Sequence, residues 1–158
     1  MLKLLQCERG TGFIEFAITL PLLVTLVMGI VEVGRYTAFS VRVSNAAHAG
    51  AQFAQSQGER TAYDSTDIFN AACQDSGFTC SSTASNNVMV ISSSVVCTYS
   101  DGSADATCAE PGTGSTLQRK MYAQVTTSAT FTPLLNYPLF PNNVPVSATT
   151  VMQVDQGQ

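Results

Sequence analysis

Four cysteines in the C-terminal part of the chain are the residues whose type and spacing most directly indicate chemistry. Six residues separate the first two and ten separate the last two, whereas structural zinc sites usually place two to four residues between paired thiolates. The spacing therefore favours a disulfide framework in an oxidising compartment over a metal site. The four residues are Cys73, Cys80, Cys97 and Cys108, while the fifth cysteine, Cys7, stands apart near the N-terminus.

Four cysteines permit three disulfide connectivities, and the sequence does not decide among them. We favour the local one because each of its bonds closes a short segment. It predicts bonds between Cys73 and Cys80 and between Cys97 and Cys108.

Catalytic chemistry has little support in the sequence. His48 is the only histidine, and no glycine-rich phosphate loop or nucleophile elbow occurs. Asp101 and Asp105 lie in a segment rich in Gly and Ser, where they are expected to be solvated turn residues or, on a weaker reading, a calcium contact. We predict no catalytic residues, no cofactor and no resident metal.

The charge of the chain argues against a nucleic-acid partner. Its 158 residues include seven Lys and Arg, and the net charge is −4. These basic residues are scattered, so no basic stripe is available to follow a phosphate backbone.

The element that precedes this cysteine-containing region is an apolar segment, Phe13 to Gly34. Its length of about 22 residues is close to the ~20 that a helix needs to cross a bilayer. A signal peptide is the competing interpretation, because Lys3 and Arg9 come before the apolar segment. However, the segment is longer than a usual h-region and no Ala-x-Ala-like site follows it. We therefore predict a retained single-span anchor.

Two glutamates lie inside the apolar segment, where carboxylates are costly. Glu32 is near its end and is expected to pair with Arg35 three residues later. Glu15 is about one turn from its start, where the helix dipole favours negative charge. An interfacial position accounts for Glu15 as well as a functional role does.

The string Cys7-Glu8-Arg9-Gly10-Thr11-Gly12-Phe13-Ile14-Glu15-Phe16 resembles the type IV prepilin processing site. There a membrane peptidase cuts after a glycine and the fifth mature residue is glutamate. A cut after Gly10 makes Thr11 the first residue, Glu15 the fifth and Phe16 the sixth. A cut after Gly12 would make Glu15 the third, so Gly10 fits the pattern better.

The resemblance extends to about residue 54 and is specifically to the TadE-like family of the Tad (tight adherence) pilus. It rests on Glu15-Phe16-Ala17, Leu20-Pro21-Leu22-Leu23, the stretch from Gly29 to Arg35, and the small residues from Ser44 to Ala51. It implies a minor pseudopilin that acts in pilus assembly, adhesion or secretion. The implied partners are a prepilin peptidase, other pilus or pseudopilus subunits, the inner-membrane assembly platform and the membrane itself.

Basic residues on the two sides of the span are nearly balanced, so they do not fix its orientation. Thiols that form disulfides belong outside the cytoplasm. We therefore expect a single-pass protein of the bacterial inner membrane, with its N-terminus cytoplasmic, its C-terminal domain periplasmic, and a possible place in the pilus.

The remaining pattern predicts an α+β, pilin-like fold in which a long N-terminal helix packs on a small antiparallel sheet. Tyr36, Phe39, Val43, Ala46, Gly50 and Phe53 recur at spacings of three and four and form one helix face. Packing within the chain is the expected role of that face, and a neighbouring subunit's helix is the alternative. The predicted divisions are a leader at 1–10, a transmembrane helix at 11–35, its periplasmic extension at 36–57, and a periplasmic domain at 58–158 with a short helix at 67–74 and strands at 88–98, 119–132 and 144–154.

Two loops complete the prediction. The long loop at 99–116 contains the turn signal Asp101-Gly102, and a Cys97–Cys108 bond would tether it. The segment 133–141 is unusually apolar, and it either folds over the open sheet face or forms a docking patch.

Two other functional interpretations remain open. One is a membrane-anchored periplasmic binding domain that never enters a filament and keeps its Met1 N-terminus. The other is a subunit of the related type II secretion pseudopilus, although that family's first mature residue is more often Phe than Thr.

Overall fold

The computed structural model describes residues 11–57, 65–83, 88–105, 108–109, 115–134 and 142–154. The chain divides into two units, Met1–Thr37 and Ala38–Gln158. The predicted leader residue Gly10 and most of the apolar loop 133–141 lie outside the described residues.

The described residues form two helices, both of which the sequence predicts. Helix α1 covers Thr11–Ser56, close to the predicted range of 11–57. Helix α2 covers Ser65–Ser76, about two residues longer at each end than predicted. Gly77 follows α2 with φ +67°, the left-handed conformation in which glycine commonly ends a helix.

The three predicted strands are confirmed to within about one residue at each end, and two strands of two residues each join them. The sheet has the order β1-β2-β4-β5, and β3 pairs with β2 on the side away from β4. The long strands are antiparallel, but β1 pairs with β2 in parallel, so the sheet is mixed rather than wholly antiparallel. The bounds are β1 Cys80–Ser81, β2 Met89–Tyr99, β3 Ala104–Asp105, β4 Arg119–Phe131 and β5 Val144–Gln153.

The core lies between one face of the sheet and the helices of the second unit. Alternate residues of β4 are buried, from Met121 through Val125 to Phe131, as the period of two predicts. Facing them are buried small residues of α1 and Ile68 and Ala72 of α2. The small residues of α1 in the core are Ala46, Ala51 and Ala54. Helices packed on one face of a sheet confirm the predicted α+β class.

Three aromatic rings join separate elements at one end of the core. Phe39 of α1 lies 5.1 Å from Phe78 and 5.4 Å from Phe131 between ring centroids, both in edge-to-face geometry. Such pairs add about 0.5–1.5 kcal/mol each beyond the apolar area that they bury. The cluster therefore fixes α1, the segment after α2 and the end of β4 to one another.

A buried hydroxyl also connects α1 to the sheet. Thr127 of β4 is fully buried, and its Oγ1 donates a hydrogen bond of 2.8 Å to the carbonyl oxygen of Val43. A helix carbonyl that accepts a second donor in this way provides a polar contact inside an apolar interface.

Replacing Thr127 with valine is expected to lower the free energy of unfolding by about 1 kcal/mol, the net value of one hydrogen bond. Valine keeps the shape of threonine, so little of this loss would come from packing. Thermal or denaturant unfolding of the full chain in detergent measures it. Thr130→Val, at an exposed position of the same strand, is the matched control and should leave stability nearly unchanged. Equal effects of the two substitutions would contradict the role given to the Thr127 hydroxyl.

Candidate anchor and assembly site

The first part of α1 presents a continuous apolar surface. Its large apolar side chains from Phe13 to Val33 are 43% to 79% exposed, and an 18-residue window within Gly12–Ser56 has a mean hydropathy of 2.3 with none of it buried. Water does not stabilise a surface of this kind, whereas a bilayer does. The helix is long and apolar enough to cross a membrane.

Hydroxyl groups on this helix bond to its own backbone. Oγ1 of Thr19 donates to the carbonyl oxygen of Glu15 at 3.0 Å, Thr25 to Leu22 at 2.8 Å, and Thr37 to Val33 at 2.8 Å. A hydroxyl that is satisfied within its own helix costs little in hydrocarbon. These threonines are therefore compatible with a membrane span.

The two glutamates of the helix occupy different settings. Glu32 accepts a hydrogen bond from Nη1 of Arg35 at 2.8 Å, which confirms the predicted i, i+3 ion pair. Glu15 lies in the second turn of α1 and is exposed, as is its neighbour Phe16 at 59%. Glu15 makes no ion pair with any residue that the structure describes. The carboxylate of Glu15 is therefore open to a partner from outside this chain.

Of the processing-site residues, the structure places Thr11, Glu15 and Phe16 on a single helix. Thr11, the first residue that the structure describes, is already helical. Glu15 follows Thr11 by four residues, about one turn, and lies on the same side of the helix.

The helix face predicted from Tyr36 to Phe53, here called the seam, packs on the chain's own domain from Phe39 onward, whereas Tyr36 is 40% exposed. Val43, Ala46 and Gly50 are buried against the sheet and α2, and Phe39 and Phe53 pack at its margins. A Cβ placed on Gly50 would lie 3.1 Å from Cβ of Ala72 and 3.1 Å from Cγ1 of Val125. Packing within the chain is therefore the role of this face, and a neighbouring subunit's helix does not use it.

The opposite face of the same helical segment is polar and open. Its exposed residues recur every three or four positions and include a single cation and the only histidine of the chain. This face is available for contacts outside the domain. Its members are Arg42, Asn45, His48, Gln52 and Gln55.

The structure contains both of the locally paired disulfides. Cys73 is bonded to Cys80 with 5.9 Å between their Cα atoms, and Cys97 to Cys108 with 5.1 Å. The first bond joins the end of α2 to β1, and the second joins β2 to the segment after β3. Both sulfur pairs lie against the core, so each bond fixes a loop to the packed part of the domain.

Polar contacts that the sequence did not reveal hold the loop beside the second disulfide. The hydroxyl of Tyr99 donates to the carbonyl oxygen of Ala109 at 2.6 Å, and Nη1 of Arg119 donates to that of Cys108 at 2.7 Å. Cys108 itself has φ +51°, unusual for a residue other than glycine. Two side chains at the paired ends of β2 and β4 therefore support a backbone conformation that is otherwise unfavourable.

The turn predicted at Asp101-Gly102 joins β2 to β3. Gly102 has φ +86°, and the carboxylate of Asp101 accepts hydrogen bonds from the hydroxyl and the amide of Ser103. These bonds lower the pKa of Asp101 below its ordinary value by stabilising the charged form. Asp101 thus acts as a solvated turn residue here. Because the pKa of Asp101 is lowered in the folded protein, its hydrogen bonds to Ser103 stabilise the folded turn at neutral pH. This stabilisation is lost as the carboxylate protonates below about pH 4.

Groups of potential metal ligands and one surface depression bear on the predicted lack of a metal and of catalytic residues. Among them no group of three or more His, Cys, Asp or Glu side chains lies close enough to hold a metal ion. A shallow depression of about 180 Å³ lies between the start of α2 and the middle of the sheet, lined by serines and small apolar residues. It contains no acid, base or nucleophile pair of the kind that catalysis requires.

In the described part of the chain, these features define a class of protein with one long apolar helix followed in sequence by a disulfide-bonded α+β domain. Within that class, residues 10–52 match the family model described as TadE-like protein. The match confirms the resemblance over the apolar helix and the small residues from Ser44 to Ala51. It also supports a single-pass membrane anchor. No curated protein and no solved structure matches the chain significantly.

Proposed function

We propose that this protein is a minor pseudopilin of a Tad-type pilus that a prepilin peptidase cuts after Gly10. Register is the observation that carries the proposal. A cut there makes Thr11 the first residue and places Glu15 fifth, the position of the glutamate in the prepilin pattern. The TadE-like match over residues 10–52 includes Gly10, Thr11 and Glu15.

Cleavage would create a new ammonium group at Thr11, in the low-dielectric region near the membrane surface. A charge there interacts more strongly with an opposite charge than it does in water. The exposed carboxylate of Glu15 on a neighbouring subunit is the group that such an ammonium would pair with during assembly. In this proposal Glu15 sets the axial register between subunits.

The protein works through assembly and not through chemistry, with the peptidase, other pilus subunits and the inner-membrane platform as its partners. We place the N-terminus in the cytoplasm and the disulfide-bonded domain in the periplasm, because thiols oxidise there. The size of the domain favours an accessory subunit of the pilus over its bulk subunit.

Sequencing the mature N-terminus from membranes, with and without the prepilin peptidase, tests the processing step. The expected start is Thr11 with the peptidase and Met1 without it. A start at Met1 in both cases would contradict the proposal and favour an anchored periplasmic binding domain.

Replacing Glu15 with alanine tests the assembly step. Membrane insertion should be unchanged, while recovery with other pilus subunits should fall about tenfold, the effect of losing ~1.4 kcal/mol of ion pairing. Ile14→Ala is the control because it truncates the adjacent exposed side chain without removing a charge. Equal recovery of the Glu15→Ala variant and the unmodified protein would exclude the intersubunit ion pair but would leave processing intact.

A further inference from the structure

The two edges of the sheet differ. Beyond β2, one edge carries the short strands β1 and β3, which pair with its two ends. The other edge is β5, which pairs with β4 over ten consecutive residues and has no second strand among the described residues. An edge strand of this length presents a row of backbone donors and acceptors.

The hydrogen bonds between β5 and β4 show which backbone groups of β5 point away from β4. These are called its open groups. The amide of Val154 donates to the carbonyl oxygen of Met121 on β4 at 2.9 Å. Because donors alternate along an antiparallel strand, residues at odd-numbered positions of β5 point their amides away from β4. Pro145 is in this register, as expected where proline is confined to the free side of an edge strand. The open amides belong to Ser147, Thr149, Val151 and Gln153.

Strand β5 lacks most of the devices that protect edge strands from pairing. Val144–Gln153 contains no charged residue, and its pairing with β4 continues without a bulge. Beyond Pro145 it is rich in Thr and Val, which favour strand pairing. Such an edge is suited to accept another strand.

We propose that β5 pairs in antiparallel fashion with β5 of a second copy of this chain, with Thr150 at the two-fold axis. In this register Ser147 faces Gln153 of the second copy and Thr149 faces Val151. All four open amides are then used, for about eight backbone hydrogen bonds in the dimer. The axis makes the contact isologous, so it closes as a dimer.

A second copy of the chain fits the edge at β5 because β5 carries no charge and has apolar side chains on its core side. A neutral strand that meets itself brings no like charges into opposition. Ala148 and Met152 are only partly buried on the core side of β5, and the proposed register places each opposite the other across the new pair. Pairing therefore covers apolar surface that one copy leaves exposed.

The proposed contact is small. One added strand pair buries less than the ~1,200–2,000 Å² that stable protein complexes usually bury. Anchoring both copies in one membrane raises their effective concentration without any new contact. We therefore place this dimer on the membrane and expect little of it in dilute detergent.

The test uses the full chain in membrane vesicles, with Cys7→Ser to remove the unpaired cysteine. Thr150→Cys places two thiols across a non-hydrogen-bonded pair, where Cα atoms lie about 4.5 Å apart, within the range for a disulfide. Ser147→Cys, at an exposed position on the same strand, is the matched control because its two copies would be about 20 Å apart. Mild oxidation should yield about tenfold more dimer from Thr150→Cys than from the control.

Adding Val151→Pro to Thr150→Cys removes one open amide, and Pro145 shows that this register accepts proline. The dimer yield should fall to that of the Ser147→Cys control. A second readout does not depend on the folding of the Thr150→Cys variant. It is energy transfer between two differently labelled copies of the chain without added cysteines, measured with and without Val151→Pro. Equal crosslinking of Thr150→Cys and Ser147→Cys, energy transfer unaffected by Val151→Pro, or crosslinking to a different protein would each overturn the β5 dimer.

Discussion

Replacing Gly50 with leucine is expected to lower the free energy of unfolding of the C-terminal domain by about 3 kcal/mol or more, at the upper end of the cost of overpacking a core. The Cβ alone would lie 3.1 Å from Ala72 and from Val125, and the rest of the side chain has no space between α1, α2 and β4. The higher helix propensity of leucine returns at most about 1 kcal/mol. Denaturant unfolding of the full chain in detergent, followed by near-ultraviolet circular dichroism, measures the difference.

Gln52→Leu provides the matched control for this substitution. It introduces the same side chain two residues away on the exposed face of the same helix, so it should change stability by less than about 0.5 kcal/mol. Similar stabilities for the Gly50→Leu and Gln52→Leu variants would show that α1 does not approach α2 and β4 as closely as the structure has it.

Removing the Cys97–Cys108 bond by Cys97→Ala and Cys108→Ala together is expected to cost about 3 kcal/mol, the chain-entropy value for a loop of this size. Alanine is chosen because Cys97 is fully buried, and a serine hydroxyl there would add an unrelated desolvation cost. Unfolding of the double variant and of the unmodified protein, both without reductant, gives the difference.

Cys7→Ser controls for the removal of a thiol as such and should leave the unfolding transition unchanged. The contacts that Tyr99 and Arg119 make to the backbone at 108–109 should keep the loop near the sheet after the bond is lost. Retained β-sheet signal at reduced stability is therefore expected. A stability loss below about 1 kcal/mol would mean that these polar contacts alone fix the loop.

The elements with long periodic patterns were predictable from the sequence. Strand β4 alternates over thirteen residues, and α1 combines an apolar span with a seam at spacings of three and four, so both patterns are unambiguous. The local spacing of the cysteines likewise favoured the pairing that the structure contains. In each case the information lies within a short stretch of chain.

The features that were missed depend on contacts between distant residues or on very short elements. Strands β1 and β3 have two residues each, too few to show a period. The cluster of Phe39, Phe78 and Phe131 joins three elements that only the fold brings together. Thr127 had a readable signal, since it follows Val125 by two residues on the inward face of β4. Only the polar side chain of Thr127 argued against a buried position.

The Glu15 site shows a different limit. The prepilin resemblance implies its register relative to Gly10, and the structure adds that Glu15 is exposed. The group that it is proposed to meet belongs to another molecule. The role of Glu15 in assembly cannot be predicted from one chain, because the pattern around Glu15 contains no information about the position of a group on another molecule.

The order of the disulfides bears on how the domain is made. Each bond joins cysteines that are consecutive in the sequence, only 7 and 11 positions apart. A domain whose N-terminal end enters an oxidising compartment first exposes each of these four thiols and its native partner before the next of the four arrives. The first pairing available is then also the final one. Such a domain has little need for an isomerase to correct mispaired intermediates during its biogenesis.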